Sequence, residues 1–193
     1  MTAADAVITF NICFLRKNTS MNNDRPIYMT PGCAKAMKEE LHELLYVLRP
    51  DMEKTTAWAA GLGDRSENAD YHAAKRALRR FDSRIRFLTK RLENASIVDP
   101  VEQAKIAKGR VLFGCTVTVE DEEGEERTYS IVGVDELNAT KGMVSWVSPI
   151  GRALLRAQEG DVVIFKAPGG ERELEIIKVE YLPLETTLLK ANA

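Results

Sequence analysis

The chain has 193 residues, of which 45% are hydrophobic and 29% charged, with 27 basic and 29 acidic side chains. This composition is typical of a folded protein with a sizeable core and excludes an intrinsically disordered tail. Three widely spaced cysteines, two histidines and no Cys-X-X-Cys pair argue against a disulfide framework, a zinc site and a Ser-His-Asp triad.

The amino-terminal part, residues 1–27, is interpreted as an extension of the folded protein for which disorder is one expectation. Its apolar run over residues 6–15 is too short to cross a bilayer and lacks the basic flank of a secretion signal. We therefore expect a cytoplasmic protein without a membrane partner. Met21 offers a second start site, so both disorder and absence of residues 1–20 stay open.

A first helix is predicted to begin at Thr30-Pro31, an N-cap hydroxyl followed by proline at the first helical position. Pro50 should interrupt this helix and kink it, and Gly61 and Gly63 should end it with positive φ angles. Its apolar residues recur at helical spacing. The first stripe is Met37, Leu41, Leu44 and Leu48, and a rougher one follows at Met52, Thr55 and Ala59.

A second helix follows, with apolar residues at alternating steps of three and four over three heptads. They are Tyr71, Ala74, Leu78, Phe81, Ile85, Leu88 and Leu92. Two such helices joined by a glycine-rich turn predict an antiparallel coiled-coil hairpin over residues 28–99. At about 1.5 Å per residue its arms would be about 45 Å long, so the far end should protrude.

The second helix is strongly basic. Residues 75–91 hold eight bases and one acid, Asp82, although the whole chain has a net charge of −2. This is the electrostatic pattern expected for a phosphate-backbone contact, and the alternative is an ordinary solvated helix face. The heptad assignment places five of the bases off the apolar seam: Arg76, Arg79, Arg80, Arg86 and Lys90.

From about residue 111 the pattern changes to short β-rich runs separated by turns. The runs are 115–119, 128–132, 143–147, 161–165 and 174–179, with a short helix at 150–155. We predict an α+β protein whose small antiparallel β domain covers residues 100–182, followed by a tail at 183–193.

The turn between the helices, GLGDRSENADY (61–71), carries three carboxylates, Asp64, Glu67 and Asp70. One interpretation is structural, with Asp64 as N-cap and Glu67 at the third helical position in a capping box. The other is functional, with Asp64 and Glu67 ligating a hard cation from an exposed tip. Because Mg²⁺ usually adds water and substrate phosphates to one or two protein carboxylates, a second active site would have to complete such a site.

The segment WAAGLGDRSENADYHAAKRALRRFDSRIRFLTKRLENASIVD (58–99) resembles the GreB-type transcript cleavage factors of bacteria. RPDMEKTTAW before it, and FGCTVTVEDEEGEERTYSIVGVDE and SPIGRALL after it, resemble the same family. The resemblance covers most of residues 28–182. It implies a coiled-coil hairpin followed by a domain of FKBP-like fold.

The resemblance also implies a function. Members insert the hairpin into the secondary channel of RNA polymerase and stimulate the polymerase's own hydrolysis of the 3′ end of backtracked RNA. They are not enzymes and bind no small-molecule substrate or stable cofactor. By resemblance, Asp64 and Glu67 share Mg²⁺ with the polymerase active centre, and Ser148-Pro149 dock on the polymerase. The implied RNA contacts are Lys75, Arg76, Arg79 and Arg80.

The chain departs from the family pattern at Val147, where an acid commonly precedes the Ser-Pro pair, and Ser83 replaces a frequent base. Two alternatives stay open beside cleavage stimulation, the first because of Val147 and the second because of the basic helix and the implied FKBP-like topology. One is a regulator that binds the polymerase channel without stimulating cleavage. The other is a plain RNA-binding or prolyl-isomerase-like module, for which the β half offers no recognisable aromatic-lined pocket.

Overall fold

The computed structural model describes residues 27–62, 67–167 and 169–185. These residues form a helical hairpin and a five-stranded sheet with short helices, so the predicted α+β class is confirmed. Within the described parts of the chain, no helix is both long and apolar enough to span a membrane.

The first arm of the hairpin is helical from Pro31 to Ala60. It consists of α1 (Pro31–Glu43), a π-helical segment (Leu44–Leu48) and α2 (Arg49–Ala60). The Thr30 side chain accepts a hydrogen bond from the Cys33 N–H at 3.3 Å, which confirms the predicted N-cap. The π-helical segment ends two residues before Pro50, so the hydrogen-bonding pattern changes just ahead of the proline while helical dihedral angles continue on both sides.

The π-helical segment changes which face of the first arm is buried. Met37 and Leu44 are buried as predicted, but Leu48 is 38% exposed. Beyond this segment Ala59 is buried as predicted. Thr55, which was also predicted on the buried stripe, is exposed, and its neighbour Thr56 is half-buried instead. The prediction failed at these positions because it placed the irregularity at Pro50, whereas the π-helical segment already begins at Leu44 and shifts the helical phase from there.

The second arm, α3 (Ala69–Glu93), packs against the first in antiparallel orientation. Large apolar side chains fill the base of the hairpin, where Met37 and Leu88 are fully buried. Towards the tip the buried residues are the small Ala59, Ala74 and Ala77. A short parallel pair, β1 (Ile27–Met29) with β2 (Ala95–Ile97), joins the two ends of the hairpin.

Helix α4 (Pro100–Ala107), which was not predicted from the sequence, connects the hairpin to the second sheet. That sheet contains β3 (Thr116–Asp121), β4 (Glu126–Val132), β5 (Met143–Ser145), β6 (Val162–Ala167) and β7 (Gly170–Glu180). Its strand order is β5-β4-β3-β7-β6. Helix α5 (Pro149–Leu154) packs on β6 over a core that includes Val117, Ile131, Leu154 and Ile176.

The five predicted strands are all present, with ends shifted by a few residues. One feature differs from the predicted antiparallel domain, because β5 runs parallel to β4 and the sheet is mixed. A 3₁₀ turn at Ala139–Lys141 lies in the connection between these two strands. This connection carries the chain back along β4, so β5 starts near the same end as β4 and runs in the same direction. The remaining pairs, β3 with β4, β3 with β7 and β6 with β7, are antiparallel.

Candidate nucleic-acid and polymerase interface

Asn68 closes the tip of the hairpin, a role that was not predicted for it from the sequence. Asn68 is the N-cap of α3, and its Oδ1 accepts a hydrogen bond from the Tyr71 N–H at 3.0 Å. Its Nδ2 donates to the Ala59 carbonyl oxygen at 2.8 Å. A single side chain therefore caps the second helix and satisfies a terminal carbonyl of the first.

The predicted capping box is wrong. Glu67 immediately precedes the N-cap, so it lies outside the helix and not at its third position. Asp64, the predicted N-cap, lies outside the described residues, as does Gly63. Gly61 ends the first arm with a φ of −83°, so the predicted positive φ is also wrong there.

The carboxylates described at the tip are exposed. Glu67 is exposed in the turn before α3, and Asp70 is exposed in the first turn of that helix. Within the described part of the chain neither forms an ion pair, and no group of three or more His, Cys, Asp or Glu side chains is arranged to hold a metal ion. Glu67 thus presents at the end of the hairpin a carboxylate that has no ion-pair partner among the described residues.

The four predicted RNA-binding bases are exposed near this end of α3. Counted from Ala69, they lie about 9 to 17 Å along the helix axis. They form two columns of like charge at i, i+4 spacing, an arrangement that repels itself in isolation. They are Lys75, Arg76, Arg79 and Arg80.

Two of the eight bases have structural partners instead. Arg84 donates to both carboxylate oxygens of Glu40 on the first arm, at 2.6 and 2.8 Å. This hydrogen bonding raises the pKa of Arg84 further, against the opposing effect of partial burial, so it remains charged. Arg91 lies 3.4 Å from Asp135 of the sheet domain, and both guanidinium groups lie 5.2 Å from the Phe87 ring.

The remaining six bases form no ion pair with any residue between 27 and 185 that the structure describes. Arg86 and Lys90 are exposed farther along α3 and continue the cationic surface of the four predicted RNA-binding residues. Lys75 lies 5.6 Å from the Tyr71 ring, a contact that leaves the ammonium group accessible. We call these six residues the basic face: Lys75, Arg76, Arg79, Arg80, Arg86 and Lys90.

The predicted docking pair lies at the start of α5, away from the tip. Ser148 is the N-cap of that helix, and its hydroxyl accepts from the Gly151 N–H at 3.1 Å and donates to the Ser145 carbonyl at 2.6 Å. Pro149 is exposed and Val147 is half-buried. The Ser148 hydroxyl is therefore engaged locally, while the proline ring is available to a partner.

Two family profiles match the chain. The profile for the N-terminal part of transcription elongation factors covers residues 27–97. The profile for the C-terminal part of the GreA/GreB transcription elongation factors covers residues 106–181. The hairpin and the mixed sheet are therefore those of a transcription elongation factor, and the chain belongs to the GreA/GreB family.

Individual relatives agree with this assignment. The chain is 45% identical over 165 residues to transcription elongation factor GreB of Neisseria meningitidis serogroup B, covering 86% of this chain and 100% of that protein. It is 44% identical to GreB of Pseudomonas aeruginosa, over 80% of this chain and 90% of the other. Transcription elongation factor GreA of Alkalilimnicola ehrlichii is 46% identical over 79% of this chain and 96% of its own length.

A solved structure, that of the GreA factor homolog Gfh1 of Thermus thermophilus, aligns with 81% of this chain and 99% of its own. The sequence identity is 26% and the TM-score is 0.37. Because whole-chain superposition is poor at this score, the family assignment rests on the sequence matches.

Proposed function

We propose that this chain stimulates the RNA-cleaving activity of bacterial RNA polymerase. The hairpin enters the secondary channel, and its tip reaches the active centre of a backtracked complex. The polymerase then hydrolyses the 3′ portion of the transcript and resumes elongation from the new end. The chain itself is not an enzyme and takes no small-molecule substrate.

The observation that carries this proposal is the exposed Glu67 carboxylate at the end of the hairpin, in a chain of the GreA/GreB family. Its freedom from any ion pair within residues 27–62, 67–167 and 169–185 leaves the charge available. A carboxylate with an internal cation as partner would have to break that contact before acting elsewhere. Glu67 has no such described contact to lose.

Asp64 and Glu67 are the residues that would hold a Mg²⁺ ion shared with the polymerase. Two carboxylates match the number of protein ligands that Mg²⁺ commonly takes when phosphate oxygens and water complete its octahedron. When bound, the metal activates water and neutralises charge that develops on the phosphate. The role of the chain is to place the two carboxylates and to orient the attacking water.

The basic face supplies the second part of the proposed interaction. Lys75, Arg76, Arg79 and Arg80 lie within a few turns of the tip, where the extruded 3′ segment of the RNA would pass. Their mutual repulsion is relieved when phosphate groups lie between them. We propose that they hold the RNA while the tip carboxylates act.

The test is a defined stalled elongation complex carrying RNA labelled at its 5′ end. Adding the protein should shorten this RNA within minutes, and nucleotides should then extend the new 3′ end. Asp64→Asn should abolish the shortening while polymerase binding stays within about twofold. Equal cleavage with this variant would refute the role of the tip.

A second candidate function is a regulator that occupies the channel without stimulating cleavage. It is favoured by the docking region, where Val147 precedes Ser148 and the Ser148 hydroxyl is already engaged within its own helix cap. In the same assay this regulator would leave the RNA length unchanged and slow nucleotide addition.

A further inference from the structure

The hairpin and the sheet domain are joined through a buried carboxylate. Glu136 lies in the segment that follows β4 and is 0% exposed, and Thr30 at the start of α1 is 1% exposed. The Thr30 N–H donates to Glu136 Oε1 at 2.9 Å, and the Thr30 hydroxyl donates to Oε2 at 2.5 Å. Both carboxylate oxygens thus bind a single residue of the hairpin.

This contact lies at the point where the direction of the hairpin is set. Thr30 is also the N-cap of α1, since its side chain accepts from the Cys33 N–H. One residue earlier, Met29 ends β1, which pairs with β2 from the other end of the hairpin. A group that holds Thr30 therefore holds the first helical turn directly and the second arm through β2.

The surrounding packing leaves little freedom at this joint. A Cβ atom on Gly133 would lie 2.6 Å from the Tyr28 carbonyl oxygen and 2.7 Å from Glu136 Oε1, so only glycine fits there. The Tyr28 ring packs against Phe113 and Trp146 of the sheet domain, with centroids 5.7 and 5.4 Å apart. The apolar contacts resist separation, while the Glu136 hydrogen bonds are directional and resist tilting.

The length of the arm magnifies any tilt. The first arm runs for 30 residues from Pro31 to Ala60, or about 45 Å at 1.5 Å per residue. A tilt of about 5° at its base would displace the tip by roughly 4 Å, several times the roughly 1 Å misplacement that can cost a reaction two orders of magnitude.

We propose that Glu136 is a positioning residue that fixes the angle between the hairpin and the sheet domain and thereby places the tip carboxylates. This inference rests on the proposed function for its consequence in cleavage. Its structural content, the fixed angle, can be measured in the free protein. Glu136 itself lies at the base of the hairpin and touches neither RNA nor metal.

The first test measures the angle as a distance. In a Cys13→Ser background, spin labels at cysteines introduced in place of the exposed Lys54 on α2 and Lys141 in the sheet domain report the distance between the two parts. In Glu136→Gln one carboxylate oxygen becomes an NH₂ group, which cannot accept a hydrogen bond from Thr30. The distribution of distances between the two spin labels should therefore broaden. Glu125→Gln, an exposed glutamate in the β3–β4 turn, is the matched control and should match wild type.

Thr30 provides an independent check on the same contact. Thr30→Val removes the hydroxyl and should broaden the distribution as Glu136→Gln does, while Thr30→Ser keeps the hydroxyl and should restore the wild-type width. Circular dichroism of each variant verifies folding. An unchanged distribution in folded Glu136→Gln and Thr30→Val would overturn the proposal.

The second test measures cleavage in the stalled complex as a function of protein concentration. Glu136→Gln should lower the maximal cleavage rate about tenfold or more, with the half-saturating concentration changed less than about threefold. If Glu136 only stabilised the fold, the maximal cleavage rate and the half-saturating concentration would both equal those of the wild type after correction for the folded fraction. That result would contradict a positioning role. If the wild type itself stimulates no cleavage, the proposed function fails while the distance result still decides the role of Glu136.

Discussion

Replacing Asn68 by alanine should loosen the tip of the hairpin while leaving its base intact. The change removes the acceptor for the Tyr71 N–H at 3.0 Å and the donor to the Ala59 carbonyl at 2.8 Å. Losing the cap costs about 1 kcal/mol. Losing the second hydrogen bond costs about 1 kcal/mol more.

A total of about 2 kcal/mol raises the population of the opened tip by roughly 30-fold. The large side chains that hold the two arms together, including Met37 and Leu88, lie at the base and are unaffected. The opening should therefore be local. Hydrogen–deuterium exchange should accelerate about 30-fold at the Tyr71 amide and remain unchanged near Leu88.

Asn68→Asp separates the two contributions. Aspartate is as good an N-cap as asparagine, but its carboxylate cannot donate to the Ala59 carbonyl. Exchange at Tyr71 should therefore rise only about fivefold, which corresponds to the single lost hydrogen bond of about 1 kcal/mol. Wild-type exchange in Asn68→Ala would refute the assigned capping role.

Three further predictions concern the basic face, the joint and the buried thiols. Arg79→Ala should reduce both RNA cleavage and the salt dependence of cleavage, without changing the midpoint of urea unfolding. Arg84→Ala loses the pair with Glu40 and should lower the free energy of unfolding in urea by about 1 kcal/mol. Burial raises the pKa of Asp135, which favours its protonated form in the folded state. Its contribution to stability should therefore be largest below the pKa of this aspartate in the unfolded chain and decline as the pH rises through the raised value. The difference in unfolding free energy between wild type and Asp135→Asn should accordingly fall as the pH is raised above the ordinary aspartate range, and a pH-independent difference would contradict this. Burial raises the pKa of Cys33 and of Cys115 to about 12. Neither thiol should therefore react with Ellman's reagent at pH 8 in a folded Cys13→Ser variant, in which these two are the remaining cysteines. Prompt reaction of either thiol would contradict its burial.

The main elements could be predicted because their signals are local. Thr30-Pro31 contains both a capping hydroxyl and a proline at the first helical position, and α1 begins there. The heptad from Tyr71 to Leu92 runs without interruption, and α3 covers all of it. The alternating β-rich runs likewise became strands, since a sheet with one buried face imposes that pattern.

The tip was harder to predict because several residues there satisfy the same local rule. Asp64, Ser66 and Asn68 are all good N-cap residues. The structure selects Asn68, the side chain that can also donate to Ala59 across the turn. That choice depends on where the preceding helix ends, which the turn sequence alone does not specify.

Other features depend on partners that are distant in the sequence. The bond between Thr30 and Glu136 joins residues 106 positions apart, and β1 pairs with β2 across the whole hairpin. The parallel arrangement of β5 depends on the course of the connection after β4. No periodicity signals these pairings, because each is decided by tertiary packing.

The placement of the bases illustrates both cases. Heptad position alone predicted that Arg76, Arg79 and Arg80 face outward, and they are exposed. The heptad assignment left Arg84 out of the outward-facing set, but it could not identify the partner, because Glu40 lies on the other arm. The basic face is therefore smaller than the eight bases counted along the helix.

The most direct measurement compares two carboxylates at the same tip. Cleavage of RNA in a stalled complex is followed at saturating protein for Glu67→Gln and for Asp70→Asn, which remove the same charge three residues apart. The proposed function predicts that Glu67→Gln lowers the cleavage rate at least 100-fold, while Asp70→Asn stays within about threefold of wild type. Equal rates for Glu67→Gln and wild type would contradict the claim that the exposed tip carboxylate acts in the polymerase active centre.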